Sequence, residues 1–204
     1  MTRKILTIIL LGVLSGSASV GEARTLLSGT SGSINIPSAH VRFLGQGAVT
    51  WQHTSTAEVV AGNLVALPNL EVSFSHWSPD AGATFNQVSA KYQWQPETLV
   101  SPAFAVGVED FTDQKQRSAY LVASKDLLWG LRFHVGVGTG RFDRGFVGVE
   151  KQFKVNSKRY NLGVMTEYDG VNFNYGLTVP VVKFVQAELG MRSDKFYAGV
   201  HGTF

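Results

Sequence analysis

The chain has 204 residues, with 18 Lys and Arg against 15 Asp and Glu, and no cysteine. This length suits a single domain. The lack of cysteine excludes disulfides, thiolate metal sites, cysteine nucleophiles and a cysteine-linked lipid anchor. The basic residues are scattered, so no nucleic-acid partner is indicated. After residue 23 no apolar run approaches the about 18 residues of a spanning helix, which excludes a helical membrane protein.

The first 23 residues have the pattern of a secretory signal peptide. Arg3 and Lys4 precede an apolar run, and small residues lead to Ala23. This pattern predicts export and cleavage after Ala23, with Ala18 as the second choice. A buried N-terminal helix in a cytosolic protein is the alternative.

Residues 24–45 differ from the rest of the chain because they are rich in glycine and serine and show little alternation. Pro37 cannot donate a hydrogen bond to a central strand ladder. We interpret 24–45 as a plug or a periplasmic segment, with a first edge strand as the alternative.

Residues 46–204 are predicted to form the barrel. They divide into short segments in which apolar and polar residues alternate, separated by turn residues such as Asp169-Gly170. Alternation of this kind predicts strands with one apolar face. The predicted strands are 47–54, 57–66, 70–77, 87–94, 103–110, 117–125, 131–138, 145–153, 159–168, 171–179, 183–191 and 194–204. The count is twelve, and eight or ten strands remain possible if weak segments are not strands.

The last predicted strand ends in Phe204, as bacterial outer-membrane barrels commonly do. Tyr197, Gly199 and Phe204 fit the usual C-terminal signal, although Gly202 stands where a bulky residue is expected. These three residues are predicted to form the barrel-assembly signal, with the barrel-assembly machinery and outer-membrane lipid as partners. The alternative is a soluble periplasmic β-sandwich or lipid carrier.

Four segments carry a resemblance to a known family: Ser31–Ala39, Leu67–Phe74, Ala105–Phe111 and Tyr120–Lys125. In this order they resemble the YjbH-like outer-membrane family, which is associated with exopolysaccharide production, over about residues 29–170. The better-known members are several times longer, so the chain would be a minimal, single-barrel version. The resemblance implies a role in exopolysaccharide secretion and supplies no catalytic residue.

The titratable residues give little support to an enzyme. The five histidines form no metal-binding motif, so no metal and no cofactor are predicted. His53-Thr54-Ser55 is similar to the His-x-Ser arrangement of a lipid A deacylase barrel but lacks the Asn that follows. A lipid-modifying enzyme, using His53 or His134, is therefore the alternative.

Six carboxylates near strand ends or on polar faces are interpreted as rim charges or as lumen ion pairs with Lys91, Arg132 or Lys151. An acid/base pair or a cation-selective ring is the alternative. These carboxylates are Glu109, Asp110, Glu150, Glu167, Asp169 and Glu188.

Together these patterns predict an all-β protein, an antiparallel transmembrane β-barrel of about twelve strands in the outer membrane, after a cleaved signal peptide. It is predicted to be non-enzymatic and to support exopolysaccharide secretion or small-solute passage, with polysaccharide or secretion components as further partners. The predicted lumen-lining residues are Lys91, Gln93, Arg132, His134, Asn172 and Asn174.

Overall fold

The computed structural model describes residues 24–155 and 160–204, so the predicted signal peptide lies outside the described residues. A two-residue ladder joins β1 (Arg24–Thr25) to β2 (Ser31–Gly32). The remaining strands are β3 Gly47–Thr54, β4 Ala57–Leu67, β5 Leu70–Pro79, β6 Phe85–Gln95, β7 Ala103–Glu109, β8 Ser118–Leu127, β9 Leu131–Gly138, β10 Phe146–Val155, β11 Tyr160–Tyr168, β12 Phe173–Val182, β13 Val185–Arg192 and β14 Lys195–Thr203.

Strands β3 to β14 form one closed, antiparallel, up-and-down barrel. Each strand pairs with its sequence neighbours, and β14 closes the sheet by pairing with β3. Gly47 and Phe204 exchange two backbone hydrogen bonds of 3.1 Å at this seam. Closure leaves the sheet without an edge, which a sheet in lipid requires. The predicted fold class is confirmed with twelve strands, and the predicted strand ends differ from the observed ones by at most three residues.

The barrel is apolar outside and polar inside. On β6, Val88, Tyr92 and Trp94 are exposed, whereas Ser89, Lys91 and Gln93 point inward and are buried. The same pattern on β9 and β12 leaves valine, phenylalanine and tyrosine side chains on the outer surface. This arrangement suits a wall that contacts lipid on one side. The β-sandwich alternative is therefore wrong.

Among the described residues, no helix is both long enough and apolar enough to cross a membrane.

The barrel has two rims, which we name by their position relative to the chain ends. At the terminal rim β3 begins and β14 ends, and the described connections there are 68–69, 96–102, 128–130 and 183–184. At the distal rim the connections are 55–56, 80–84, 110–117, 139–145, 169–172 and 193–194. Ser193 and Asp194 have φ values of 48° and 60°, the backbone of a two-residue hairpin turn that follows the twist of its strands.

Most of residues 24–45, the N-terminal segment, lies inside the barrel, and only its end, with Phe43 and Leu44, is exposed. Leu26, Ile34, Ile36 and Ala39 are at most 1% exposed, although the strands around them present mainly polar side chains. Ile36 and Ala39 pack with Tyr120, Phe142 and other wall residues in one apolar cluster. The segment therefore provides part of the apolar core that a polar-walled barrel lacks.

Candidate functional site

The lumen wall carries polar side chains that are almost fully buried. Lys91, Gln93, His134 and Asn174, four of the predicted lumen residues, point inward and are at most 6% exposed. In a water-filled channel such side chains would be wet. Here they have almost no solvent-accessible surface, because the N-terminal segment covers them.

The other two predicted lumen residues lie near the rims. Arg132, on β9 at the terminal rim, forms an ion pair with Asp126. Asn172 belongs to the distal β11–β12 connection, where its main-chain N–H donates to Asp169 and its side chain donates to Ser193 Oγ at 3.0 Å. Strand β12 begins at Phe173, two residues later than predicted, so Asn172 is part of a turn.

Lys91 is the main cation that holds the segment. Its Nζ donates to the carbonyl oxygens of Ser31, Ser38 and His40 at 3.0, 3.1 and 2.9 Å, and to the Ser31 hydroxyl. Glu71 lies 3.5 Å from Nζ and accepts hydrogen bonds from the Ser31 N–H and hydroxyl at 2.8 and 2.6 Å. Both side chains are fully buried. The pair thus binds two parts of the segment, at Ser31 and at 38–40, to the barrel wall.

Two further wall carboxylates accept hydrogen bonds from the segment. Glu167 binds the main-chain N–H groups of Ile34 and Asn35 at 3.0 and 2.7 Å. Glu109 accepts from the hydroxyls of Ser28 and Thr30 at 2.9 and 3.1 Å. An unpaired main-chain N–H buried in the barrel would cost free energy. Glu167 removes that cost for two main-chain N–H groups of the segment, and Glu109 does the same for two buried hydroxyls.

Wall side chains also donate to the segment's carbonyl oxygens. Five such bonds, of 2.7 to 3.1 Å, are Asn63 to Gly29, Gln93 to Ala39, Arg141 to Asn35, Arg192 to Ile34 and Gln52 to Thr25. The wall therefore recognises the segment largely through its backbone. The recognition extends around the barrel, because these donors lie on strands β3, β4, β6 and β13 and in the β9–β10 connection.

A second polar network crosses the lumen beside β1. Arg24 pairs with Glu150 at 2.8 Å, and His134 lies 3.4 Å from the same carboxylate. On the neighbouring wall, Glu188 accepts from the Tyr197 hydroxyl and contacts His201, both at 2.6 Å.

The three residues of the predicted assembly signal, Tyr197, Gly199 and Phe204, differ from one another in their surroundings. Tyr197 points into the lumen. Gly199 packs its backbone close to Trp51 and Gln52 on β3, and Phe204 ends the seam against Gly47.

The expected partners of the lumen carboxylates are wrong, although ion pairs are present. Lys91 pairs with Glu71, Arg132 with Asp126, and Lys151 donates to the Trp129 carbonyl. Glu109, Glu150 and Glu188 instead pair with Arg141, Arg24 and His201. Register does not decide these pairs: Glu150 lies opposite Arg132 in the β9–β10 ladder, yet its partner Arg24 comes from the N-terminal segment, as Arg141 comes from a connection. Asp110 and Asp169 accept main-chain N–H bonds in the distal connections.

The two histidines considered for lipid hydrolysis lie on opposite faces of the wall. His53 is exposed on the outer face, where it stacks on Trp51 and lies 3.8 Å from Glu58. His134 is in the lumen, 2.7 Å from Ser124 Oγ and near Glu150. The Ser124 hydroxyl also accepts the Ala39 N–H at 2.8 Å. A lipid acyl chain in the membrane contacts the outer face, so the serine–histidine pair is on the wrong side for it.

Among the described residues, one group has the composition of a metal site: His40, Glu97 and Asp126 at the terminal rim. Its carboxylates are already engaged, since Lys125 lies 2.8 Å from Glu97 and Arg132 pairs with Asp126. Burial, followed by the nearby Arg132 charge, lowers the pKa of His40. Burial opposes ionisation of Glu97, but hydrogen bonds from Lys125 and His40 still bring its pKa below the usual value. The group is an ion-pair network without a free ligand set.

Several site residues were missing from the predicted set. Glu71 shares the inward parity of Ser73 and Ser75 on β5, so alternation alone places it in the lumen. Arg24 and Arg192 lie at a segment end and a strand end, where alternation gives no direction. Their roles depend on the course of the N-terminal segment through the barrel.

The geometry defines a class: a closed, up-and-down antiparallel β-barrel with an apolar outer face and with its own N-terminal segment in the lumen. Residues 27–176 match the family described as exopolysaccharide biosynthesis protein YbjH, and the chain belongs to this YjbH family. The family expectation drawn from the sequence is thereby confirmed.

The solved structures agree on the fold. The chain is similar to a KdgM porin, with a TM-score of 0.54 and 14% identity over 78% of this chain and 99% of that chain. A KdgM porin in complex with disordered oligogalacturonate gives the same values. No curated protein matches the chain.

Proposed function

We propose that the protein is a non-enzymatic outer-membrane barrel that supports exopolysaccharide secretion, and that residues 24–45 act as its plug. The observation that carries the plug is the burial of the lumen wall. Lys91 and Glu71 lie mid-lumen without solvent exposure and are bonded to the segment. A barrel in this state holds its interior closed, so a supporting role in secretion fits better than constitutive passage of solute.

The family membership supports the connection to exopolysaccharide. A barrel of similar fold has been solved in complex with oligogalacturonate, which supports contact between this fold and polysaccharide. The narrow lumen of a twelve-stranded barrel argues against passage of a thick polymer through it. We therefore assign the protein to the secretion pathway as a component that contacts polymer.

Secretion is tested by deleting the gene and measuring secreted polymer, with the wild-type gene supplied in trans as the control. Loss of secreted polymer, restored by the wild-type copy, is expected. Unchanged secretion in the deletion strain would reject the supporting role.

Plugging is tested by cysteine labelling. The chain has no cysteine of its own, so a single introduced cysteine is the only thiol that can react. The Ser33 hydroxyl is buried without a hydrogen-bond partner, so Ser33→Cys should fold normally and react slowly with a water-soluble maleimide. Ser55→Cys, in an exposed distal turn, is the matched control. Equal labelling rates at the two positions in intact outer membranes would show that the lumen is open to water.

Solute passage is the second candidate, because the fold is that of porins. It requires the segment to leave the lumen. In planar bilayers we expect the wild type to be closed, and Gly32→Val to conduct, since a side chain at Gly32 would collide with Ile36 and Leu26 inside the segment. Phe43→Ala, at a 70% exposed position of the same segment, is the control.

The export and assembly steps belong to the same proposal. Cleavage after Ala23 would make Arg24, the partner of Glu150, the first residue of the mature chain. The mass of the purified protein tests this. We further propose that Tyr197, Gly199 and Phe204 are recognised by the barrel-assembly machinery. Accumulation of a Phe204-deleted chain in the periplasm would support it.

A further inference from the structure

A cavity of about 580 Å³ opens at the distal rim, above the N-terminal segment. Its walls come from β4, β5 and β6 and from the 80–84 and 110–117 connections. Leu27, Ser28 and Asn35 of the segment also line it. Its volume lies within the range of small-molecule sites. The cavity is thus formed jointly by the wall and the segment.

One side of the cavity is aromatic. Trp77 and Phe85 point inward from β5 and β6 and stack with ring centroids 5.5 Å apart and planes 13° apart. Trp77 donates from Nε1 to Ser75 Oγ at 3.1 Å, which fixes the orientation of its ring. The Lys115 ammonium lies 4.7 Å from the Phe85 centroid. Half-buried, oriented aromatic rings at the mouth of a polar lumen provide an apolar platform in a wet site.

The charges around the cavity are largely used within the protein. Arg141 donates to Glu109 at 2.8 Å and to the Asn35 carbonyl. Asp110 accepts from the Thr112 hydroxyl and from three main-chain N–H groups of its own connection. Among the described residues that line the cavity, three anions, Asp80, Glu109 and Asp110, stand against two cations, Lys115 and Arg141, and only Arg141 and Glu109 form an ion pair. The lining therefore offers no excess of positive charge to an anionic ligand.

We infer that this cavity binds neutral pyranose units of an oligosaccharide. One face of a pyranose presents C–H groups, which are attracted to the negative face of an aromatic ring. The hydroxyl groups at the ring edge are both donors and acceptors, which suits the mixed side chains Gln87, Gln116, Asp80 and Lys115. The inference rests on the proposed function, for which it names the substrate class.

A sugar in this cavity would touch the wall and the segment together. We call the segment seated when it lies in the lumen and displaced when it has left it. The ligand binds more tightly to the cavity when the segment is seated, because displacement removes Leu27, Ser28 and Asn35 from the site. By linkage it must stabilise the seated state. Sugar binding would therefore slow the labelling of Ser33→Cys.

The test uses the full mature chain in detergent micelles, with cellohexaose, maltohexaose and laminarihexaose as neutral probes and hexagalacturonate as the anionic probe. Binding is measured by titration calorimetry. We expect at least one neutral probe to bind, and Trp77→Ala to weaken that binding about tenfold, the upper range of a single aromatic contact. The matched control is Trp94→Ala, because Trp94 stacks on Phe104 with the same 13° angle but on the outer face.

Three results would overturn the inference: no binding of any neutral probe, tighter binding of hexagalacturonate, or equal losses in Trp77→Ala and Trp94→Ala. The proposed function is judged by other results. If deletion of the gene abolishes secretion but no probe binds, the secretion role stands and the sugar site fails. If a neutral probe binds as expected but deletion leaves secretion unchanged, the sugar site stands and the secretion role fails.

Discussion

Replacing Lys91 by methionine should release the N-terminal segment while leaving the barrel closed as a sheet. Methionine preserves most of the unbranched stem but removes the ammonium. The change deprives Ser31, Ser38 and His40 of a donor to their carbonyl oxygens and leaves Glu71 without its cation. All of these groups belong to the contact between segment and wall, so the loss should favour the displaced segment.

The magnitude follows from the burial of the pair. Removing one member of a buried ion pair costs about 3–5 kcal/mol. Glu71 retains two hydrogen bonds from Ser31, which places the expected cost at the lower end. About 3 kcal/mol corresponds to a change of about 150-fold in the equilibrium between seated and displaced segment.

The assay is the maleimide labelling rate of Ser33→Cys with and without Lys91→Met. When the segment exchanges faster than it is labelled, the rate reports the displaced fraction. The rate of Ser55→Cys sets the upper limit. Lys195→Met, at an exposed strand end, is the control for loss of a lysine. Glu71→Gln added to Lys91→Met should slow labelling again by removing the unpaired charge.

A rate increase below threefold, or one equal to that of Lys195→Met, would refute the view that Lys91 holds the segment. Heat-modifiable gel migration must be retained in every variant, because only then does labelling report the segment and not unfolding of the barrel.

Three further outcomes are expected. Tyr197→Phe removes the 2.6 Å bond to Glu188 and should lower the free energy of unfolding by about 1–3 kcal/mol. Urea titrations in lipid vesicles measure this loss. The loss of unfolding free energy in Tyr197→Phe should exceed that in Tyr168→Phe, because the Tyr168 hydroxyl donates only to a turn carbonyl. Trp129→Asn should leave stability unchanged or raise it by up to about 1 kcal/mol, because Trp129 is exposed with a φ of 64° that asparagine adopts more readily. A loss of more than about 1 kcal/mol of unfolding free energy in Trp129→Asn would mean that the indole makes a stabilising contact. The lowered pKa of His40 means that the folded protein binds a proton less readily than the unfolded chain. Stability should therefore be fully present above about pH 6.5 and fall as pH drops below it. His40→Gln should remove this part of the pH dependence, and an unchanged profile would contradict the assignment.

The fold could be predicted because each barrel strand carries its own local signal. On β6, β9 and β12 the alternation of apolar and polar residues assigns the two faces without reference to any other strand. Turn pairs such as Ser193-Asp194 then mark the ends. Closure also follows, since an apolar outer face in lipid leaves no place for an edge.

The site could be predicted only in part, because its partners are distant in sequence. Lys91 and His134 were assigned to the lumen by alternation. Glu71 lies directly opposite Lys91 in the β5–β6 register, so this partner follows from the hairpin, whereas the pairing of Glu150 with Arg24 beside His134 depends on the course of the segment. The segment is held mainly through its backbone, and backbone recognition leaves almost no trace in residue type. Asn172 was misplaced for a different reason: two residues at a strand end separate wall from turn.

The form of this recognition bears on how the lumen could open. A plug held by apolar packing alone would need a large area to be exposed before it moved. Here the bonds to Glu71, Glu109 and Glu167 are made with wall carboxylates that stay hydrogen-bonded if water replaces the segment. Displacement therefore exchanges hydrogen bonds to protein for hydrogen bonds to water, whose net difference is about 1.5–3 kcal/mol each for bonds to charged groups. The apolar residues Ile34 and Ile36, which water cannot compensate, provide the remaining resistance. A polar wall with a few apolar anchors is thus a construction that can be both closed at rest and releasable.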